Sequence, residues 1–397
     1  EQLEQPAAAF DTWARVRLGN IIYQTAYATT EPARLKELAS KLAQDTLQPY
    51  QVFILKNLDR ELSKQRKVAE FLKSGPANPF KASPLPGFEF ARSGPAAASL
   101  AKLRDGRMVM AYTTGDHHQT RIQLSLSRDG ITWEVPWEFA HNSVFNTRAP
   151  SVVVDDHGEI WMLCLSQRLT TQRFASWPYQ LWLTHSRDGH EWSPLRVLQM
   201  KSESARIEIA TSQYQEVPQL MRLPGNRFGI IWRDQFAAAK SPGEISVLNT
   251  LPLPRTNNKP LVSNTHATFE SGGRCHLVFD DFGRGLYYTR SEDLQIWTPL
   301  QFQGAAGTNS SISMPQLLLE GDHAVLLHEE NNGVWLQRGA VSPEGLKLGT
   351  KIQIADHLMP LNGSRLYLDG DRVLIPAGGH DYLPNLLTAS FAELLVP

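Results

Sequence analysis

Ser127-Arg-Asp-Gly-Ile-Thr-Trp133 decides the fold, because it returns as Ser186-Arg-Asp-Gly-His-Glu-Trp192 and again as Ser291-Glu-Asp-Leu-Gln-Ile-Trp297. Each copy follows an alternating strand pattern: Ile122-Gln-Leu-Ser-Leu126, Tyr179-Gln-Leu-Trp-Leu-Thr184 and Gly285-Leu-Tyr-Tyr-Thr289. A Ser, an Asp and a Trp at fixed offsets after a strand predict a tight turn between antiparallel strands. The carboxylate accepts N–H groups of its own turn and the indole covers it. A repeated turn implies a repeated unit, whose period sets the architecture.

The three copies begin 59 and 105 residues apart, so a unit lacking the phrase falls between the second and third. Degenerate copies, Ser342-Pro-Glu-Gly-Leu346 and Ser390-Phe-Ala-Glu-Leu394, extend the series. Ahead of each turn, two strands meet at a tight polar reversal. These pairs span 100–112 around Asp105-Gly106, 151–165 around Asp156-His-Gly158 and 217–232 around Pro224-Gly-Asn226. The same shape recurs at 265–279 around Ser271-Gly-Gly273, 314–328 around Glu320-Gly321 and 365–375 around Asp369-Gly370. Six units of about 50 residues and four strands each predict a six-bladed β-propeller over residues 87–397. The last unit ends too soon for a fourth strand, and Gly87-Phe-Glu-Phe-Ala91 is expected to supply it and lock the ring.

Residues 1–75 carry a different pattern. Thr30-Glu31-Pro32 is a helix start signal, and Leu35, Leu38, Leu42 and Leu47 follow at near-helical spacing. A second amphipathic stretch runs from Val52 to Leu72 with Lys and Arg on its other face. The fold class is therefore mainly β, a propeller preceded by an α-helical N-terminal segment, with 76–86 as a Pro/Gly linker. The helices are expected to cap the propeller or to offer a contact for a partner or a membrane surface.

Charge is balanced, 39 Lys+Arg against 40 Asp+Glu, so no electrostatic footprint for nucleic acid is present. No run approaches the roughly 18 apolar residues needed to span a bilayer. The chain shows no signal peptide, and its opening Glu1-Gln-Leu reads as a processed end, for which a secreted or periplasmic location is expected. Cys164 and Cys275 sit in apolar strand-like runs and read as small buried hydrophobes. Zinc-like ligand spacing, a Gly-rich phosphate loop and a nucleophile elbow are all missing, so neither a metal nor a cofactor is expected.

In a propeller, the starts of the innermost strands and the loops after their neighbours share one face. Here the strand starts carry Arg92, Arg148, Glu216, His266 and Arg365. The loops carry Asp116, His117 and His118; Arg233 and Asp234; Asp280, Asp281 and Arg284; Glu329 and Glu330; and His380, Asp381 and Tyr382. Arginines converging with carboxylates on a concave face are costly unless an anionic ligand balances them.

With these residues in view, the Ser-x-Asp…Trp turns resemble Asp-boxes, and over residues 88–397 their placement on a six-bladed ring resembles the sialidases. The segment from Tyr214-Gln-Glu216 to Trp232-Arg233 is similar to the one in which a Glu opens a strand and an Arg closes the next. Thr113-Thr-Gly-Asp-His117 looks like the loop carrying the acid, with Arg92 and Arg284 in the places of the first and last arginines. The resemblance implies that Arg92, Arg233 and Arg284 clamp a sugar carboxylate through planar forks. It implies that Asp116 protonates the leaving oxygen and that Glu216 is the base or the partner of a phenolic nucleophile. Ile312 stands where that phenol is expected, so Tyr214 or Tyr382 supplies it from another position, or a carboxylate activates water. His117, Arg148, Glu329 and Tyr382 complete the candidate pocket. The activity implied is exo-hydrolysis of a terminal 2-keto-3-deoxy sugar acid, sialic acid or Kdo, from an acidic glycan. The alternatives are a polysaccharide lyase on a uronate, with His117, His118 or His266 as base, and a non-catalytic glycan- or protein-binding propeller.

Overall fold

The structure, a computed structural model, describes residues 79–395 apart from 86–95, 117–118, 135, 143–144, 169–179, 201–216, 254–261, 282–283, 306–310, 332, 356–360, 362 and 379–384, together with Lys67 and Glu70. The expected N-terminal helices thus lie outside the described residues, apart from those two positions.

The chain enters through β1 (Lys81–Pro84) and then builds six antiparallel sheets in order. Blade one is β2 (Ala96–Lys102), β3 (Met108–Asp116), β4 (Gln119–Ser127) and β5 (Trp137–Glu138). Blade two is β6 (Phe145–Val154), β7 (Ile160–Arg168), β8 (Gln180–Ser186) and β9 (Arg196–Val197). β10 (Gln199–Met200) crosses to blade three and pairs in parallel with the outer strand of that blade. Blade three itself holds β11 (Gln219–Leu223), β12 (Arg227–Trp232), β13 (Gln235–Ala239) and β14 (Val247–Thr250). Blade four is β15 (Thr265–Phe269), β16 (Cys275–Asp280), β17 (Gly285–Ser291) and β18 (Gln301–Ala305). Blade five is β19 (Ile312–Glu320), β20 (His323–Glu330), β21 (Gly333–Ser342) and β22 (Gly345–Ala355). Blade six is β23 (Tyr367–Asp369), β24 (Arg372–Ala377) and β25 (Asn385–Ser390), followed by the short helix α1 (Phe391–Leu395). The six-bladed propeller expected from the turn spacing is the fold.

β1 completes blade six by pairing antiparallel with β25, from Lys81↔Thr388 to Pro84↔Asn385. The closing strand therefore comes from 81–84, upstream of the expected 87–91, of which 87–91 lie outside the described residues. Its anchors explain the choice. Phe80 packs in the core between blades five and six, and Leu85 in the core between blades six and one, so the strand is pinned on both faces. Pro84 sits on the outer edge, where its missing N–H breaks no ladder.

Each blade is apolar on both faces because each packs against two neighbours, and the buried residues divide into six clusters, one per interface. Val109, Ile122 and Leu124 meet Val152, Ile160 and Met162 between blades one and two. Ile231 and Phe236 meet Leu277 and Phe279 between blades three and four. Both cysteines are buried and free, and burial pushes the Cys164 thiol up to about 12 and the Cys275 thiol higher still, as inert core groups.

The recurring turns close on themselves as expected. Asp129 Oδ1 accepts from the N–H groups of Ile131 (2.8 Å) and Thr132 (2.6 Å), and Ser127 Oγ accepts from that of Gly130 (2.8 Å). Ser186 with Asp188 and Ser291 with Asp293 repeat the pattern. The indoles do more than cover the turn. Trp133 packs against Leu374 of blade six, Trp192 against blade one and Trp297 against blade three, each on the preceding blade. Blade three lacks the phrase, and a 3-10 turn at Pro242–Glu244, capped by Ser241 Oγ, joins β13 to β14 instead.

A second closed circuit runs around the axis, where the first strands of successive blades touch. A side chain near the start of each accepts a backbone N–H from the next. Val152 donates to Ser99 Oγ (3.0 Å), Leu220 to Ser151 Oγ (2.9 Å) and Ala267 to Gln219 Oε1 (3.0 Å). Leu317 donates to His266 Nδ1 (3.2 Å), Leu366 to Gln316 Oε1 (2.7 Å) and Ala98 to Ser364 Oγ (3.2 Å). All six junctions are tied by the same device.

Candidate functional site

The inner strands carry the feature that shapes the upper face. β2, β6 and β19 are bulged at Ala96/Ser99, Arg148/Ser151 and Ser313/Gln316. At these bulges Ala97, Ala149 and Met314 adopt left-handed φ values of 50°, 51° and 55°. The bulges gather Ala97, Ala149, Val217 and Met314 into one cluster near the axis. Gly363 completes it, since a Cβ there would stand 2.6 Å from Val217 Cγ2. The channel is thereby stoppered by small apolar groups, which form a floor.

Around this floor, antiparallel pairing puts the starts of first strands beside the ends of second strands. Asp116 ends β3, with its backbone opposite Gln119. Arg148 lies in β6 opposite Leu165 and is buried. Arg233 follows β12 in a left-handed conformation (φ 56°), and its guanidinium lies 5.1 Å from the Trp232 ring centroid. Its carbonyl accepts the Thr265 hydroxyl at 2.9 Å, tying blade three to blade four. Glu329, one residue before the end of β20, lies beside Ser313 and is buried. Arg148, Arg233, Arg284, Asp280, Asp281 and Glu329 thus come from four consecutive blades to one end of the propeller. The Asp116 side chain and Arg92, His117, Tyr214, Glu216 and Tyr382 lie outside the described residues.

Blade four supplies the tightest polar geometry. Asp280 is fully buried, and its Oδ2 accepts Asn264 Nδ2 (2.9 Å) and the N–H of Met314 (3.2 Å). That carboxylate therefore fixes the bulge of blade five. Asp281 holds Arg284 Nη2 at 2.6 Å within a single turn, while the Arg284 side chain is 65% exposed. A ligand carboxylate would compete with Asp281 for that fork. Asn264, which the strand pattern alone gave no reason to select, belongs to the site through Asp280.

Two residues placed on this face by sequence belong elsewhere. His266 is a member of the axial circuit: Nδ1 accepts a backbone N–H, and burial followed by the nearby Arg365 charge pushes its pKa well below the ordinary imidazole value. Its Nδ1 lone pair is taken up by the Leu317 N–H and so is not available to accept a substrate proton. Arg365 is buried below the stopper and faces the opposite end of the channel. Ile312 opens β19 and is buried, so the position expected to hold a nucleophilic phenol is part of the core between blades four and five. Among the described residues no group of three or more His, Cys, Asp or Glu could hold a metal ion.

No protein-family profile matches the chain, and no curated protein matches it in sequence. Solved structures do. A protein of unknown function from Dyadobacter fermentans superposes with a TM-score of 0.59 at 12% identity, over 79% of this chain and 99% of that one. The NanB sialidase of Streptococcus pneumoniae gives 0.55 at 11% identity, over 82% and 72%. An α-L-arabinofuranosidase of Fusarium graminearum gives 0.50 at 11% identity, over 81% and 99%. At these identities what is shared is the fold: this chain is a six-bladed propeller similar in architecture to those of known glycosidases.

Proposed function

We propose that the protein is an exo-acting glycoside hydrolase that releases a terminal 2-keto-3-deoxy sugar acid, sialic acid or Kdo, from an acidic glycan. What supports this reading is topological: strand positions bring Arg148, Arg233 and Arg284, with carboxylates of neighbouring blades, to one end of the propeller. Planar guanidinium forks on a partly desolvated rim favour a carboxylate-bearing ligand, and carboxylates beside them can serve as acid and base. Arg233 and Arg284, with Arg92, bind the sugar carboxylate. Asp116, at the end of β3, gives its proton to the leaving oxygen as the glycosidic C–O bond breaks. Ile312 is buried in place of a phenol, so Glu216, directly before Val217, takes a proton from the water that attacks the anomeric carbon. The reaction is then a single displacement with inversion.

The test is turnover of fluorogenic α-glycosides of sialic acid and Kdo, with the first-formed anomer read by NMR. Asp116→Asn is expected to lower kcat/KM by roughly 10²–10⁴, and the first product is expected to be the inverted anomer. Binding of acidic glycans without turnover would make the propeller a binding module. An unsaturated product absorbing in the ultraviolet would make it a lyase.

A further inference from the structure

Arg365 is a buried cation with no anion beside it among the described residues. From the start of blade six its guanidinium reaches across the axis, and Nη2 donates to the carbonyls of Val217 (2.6 Å) in blade three and Thr265 (3.2 Å) in blade four. Nε is buried without an acceptor, and no carboxylate among the described residues pairs with the group. Burial alone pulls its pKa down to about 10, so it remains charged at neutral pH. An unbalanced charge in such a place is expensive.

The space beside it is built to hold something. Arg365 lines a cavity of about 640 Å³, together with Ser99, Ser151, Gln219 and Tyr367 from the surrounding inner strands. The apolar stopper closes the channel above, and the cavity reaches Lys102, Arg104 and Asp156 on the opposite face. Two carboxylates border it and neither neutralises Arg365. Asp155 accepts the N–H groups of His157 (2.8 Å), Glu159 (2.9 Å) and the Trp161 indole (2.9 Å). Asp156 is held by Arg222 at 2.9 Å. Ser99 Oγ accepts the Val152 N–H, which leaves its hydroxyl hydrogen for a ligand.

We infer that the axial cavity binds a small monovalent anion, chloride in the first instance, against Arg365. Of the cations lining the cavity, Lys102 is held by Asp369, Arg222 by Asp156, and Arg104 is exposed, so Arg365 is the buried one to balance. A single negative charge does so, and Asp155 and Asp156 beside the cavity disfavour multiply charged anions such as phosphate. The anion neutralises the group that ties the starts of β11 and β15 across the axis, so its effect is on the ring and is independent of any glycosidase activity.

The experiment is thermal unfolding of the whole chain at constant ionic strength, with sodium chloride replacing sodium gluconate. The wild-type midpoint is expected to rise saturably with chloride, by about 2–4 °C. Arg365→Gln, which keeps a donor for the carbonyls but no charge, is expected to lose that response and to be at least as stable as wild type in gluconate. Crystals soaked in sodium bromide provide a readout that needs no variant, and an anomalous peak beside the Arg365 guanidinium is expected. A wild-type midpoint indifferent to chloride, an Arg365→Gln protein that keeps the chloride response, or the absence of a bromide peak on the axis would each overturn the proposal.

Discussion

At the scale of single residues, His328 couples the fold to pH. It is fully buried in blade five, with neither ring nitrogen hydrogen-bonded and Glu330 3.6 Å from Nε2. Burial outweighs the attraction of Glu330 and lowers its pKa to about 4. His276 and His266 are displaced in the same direction, again chiefly by burial. A folded pKa below the unfolded one means that the unfolded chain takes up the proton first as pH falls. Stability is complete above about 6.5 and is lost between there and about 4. His328→Leu, which fills the same space without a titrating group, is expected to shallow that loss by about 1 kcal/mol per pH unit. Denaturant titrations between pH 7.5 and 4.5 measure it, and parallel profiles for variant and wild type would refute the assignment. The other two histidines keep some slope in the variant. The same distinction between exposed and buried charge separates legible from illegible site residues. Arg233 and Arg284 could be placed from their positions after second strands, because the fold dictates which end those loops occupy. His266 and Arg365 stand instead at the starts of first strands, which the fold also brings toward that end, yet their side chains turn into the axis, a direction set by neighbouring blades and invisible in a single strand.

At the scale of elements, the hairpins were legible because their signals are local. Gly or Asn at the left-handed positions of reversals such as Asp105-Gly106 and Asn226 marks each turn, and alternation marks the strands beside it. The missing phrase of blade three was legible from spacing, and Ser241 caps the turn that replaces it. The closing strand was misplaced because Phe88-Glu-Phe90 alternates more clearly than Lys81-Ala-Ser-Pro84. What selects the latter is tertiary: Phe80 and Leu85 reach cores on opposite faces of blade six. Losing both anchors and the β1–β25 ladder should be costly, since each apolar side chain is worth about 2 kcal/mol of burial. A chain of residues 88–397 is therefore expected to melt roughly 8 °C below one of residues 76–397 and to aggregate through the bared edge of β25. Differential scanning calorimetry of the two chains provides the comparison, and equal midpoints would show that another segment closes the ring.

At the scale of the whole molecule, the six blades are joined twice, by apolar clusters between sheets and by the axial circuit of side chain to backbone bonds. The clusters supply most of the stabilisation, because apolar burial is non-directional and scales with area. The circuit supplies register, because each acceptor recognises one N–H on the next inner strand and so fixes the height of that strand along the axis. Gln316 is its most exacting member. It is buried, accepts the Leu366 N–H at 2.7 Å and donates to the Ser364 carbonyl at 2.8 Å, using both ends of its amide between blades five and six. Removing it strands two buried backbone groups, each costing about 1–3 kcal/mol. Gln316→Ala is therefore expected to destabilise the protein by about 2–5 kcal/mol. Ser151→Ala, at the junction of blades two and three, leaves chiefly the Leu220 N–H unsatisfied and should cost about half as much. Because the ring is closed, neither variant should release a blade on its own: unfolding should remain one transition, with an unchanged denaturant slope and a lower midpoint. Separate transitions, or a reduced slope in Gln316→Ala, would mean that the blades are held as independent pairs and that the circuit around the axis does not act as a unit.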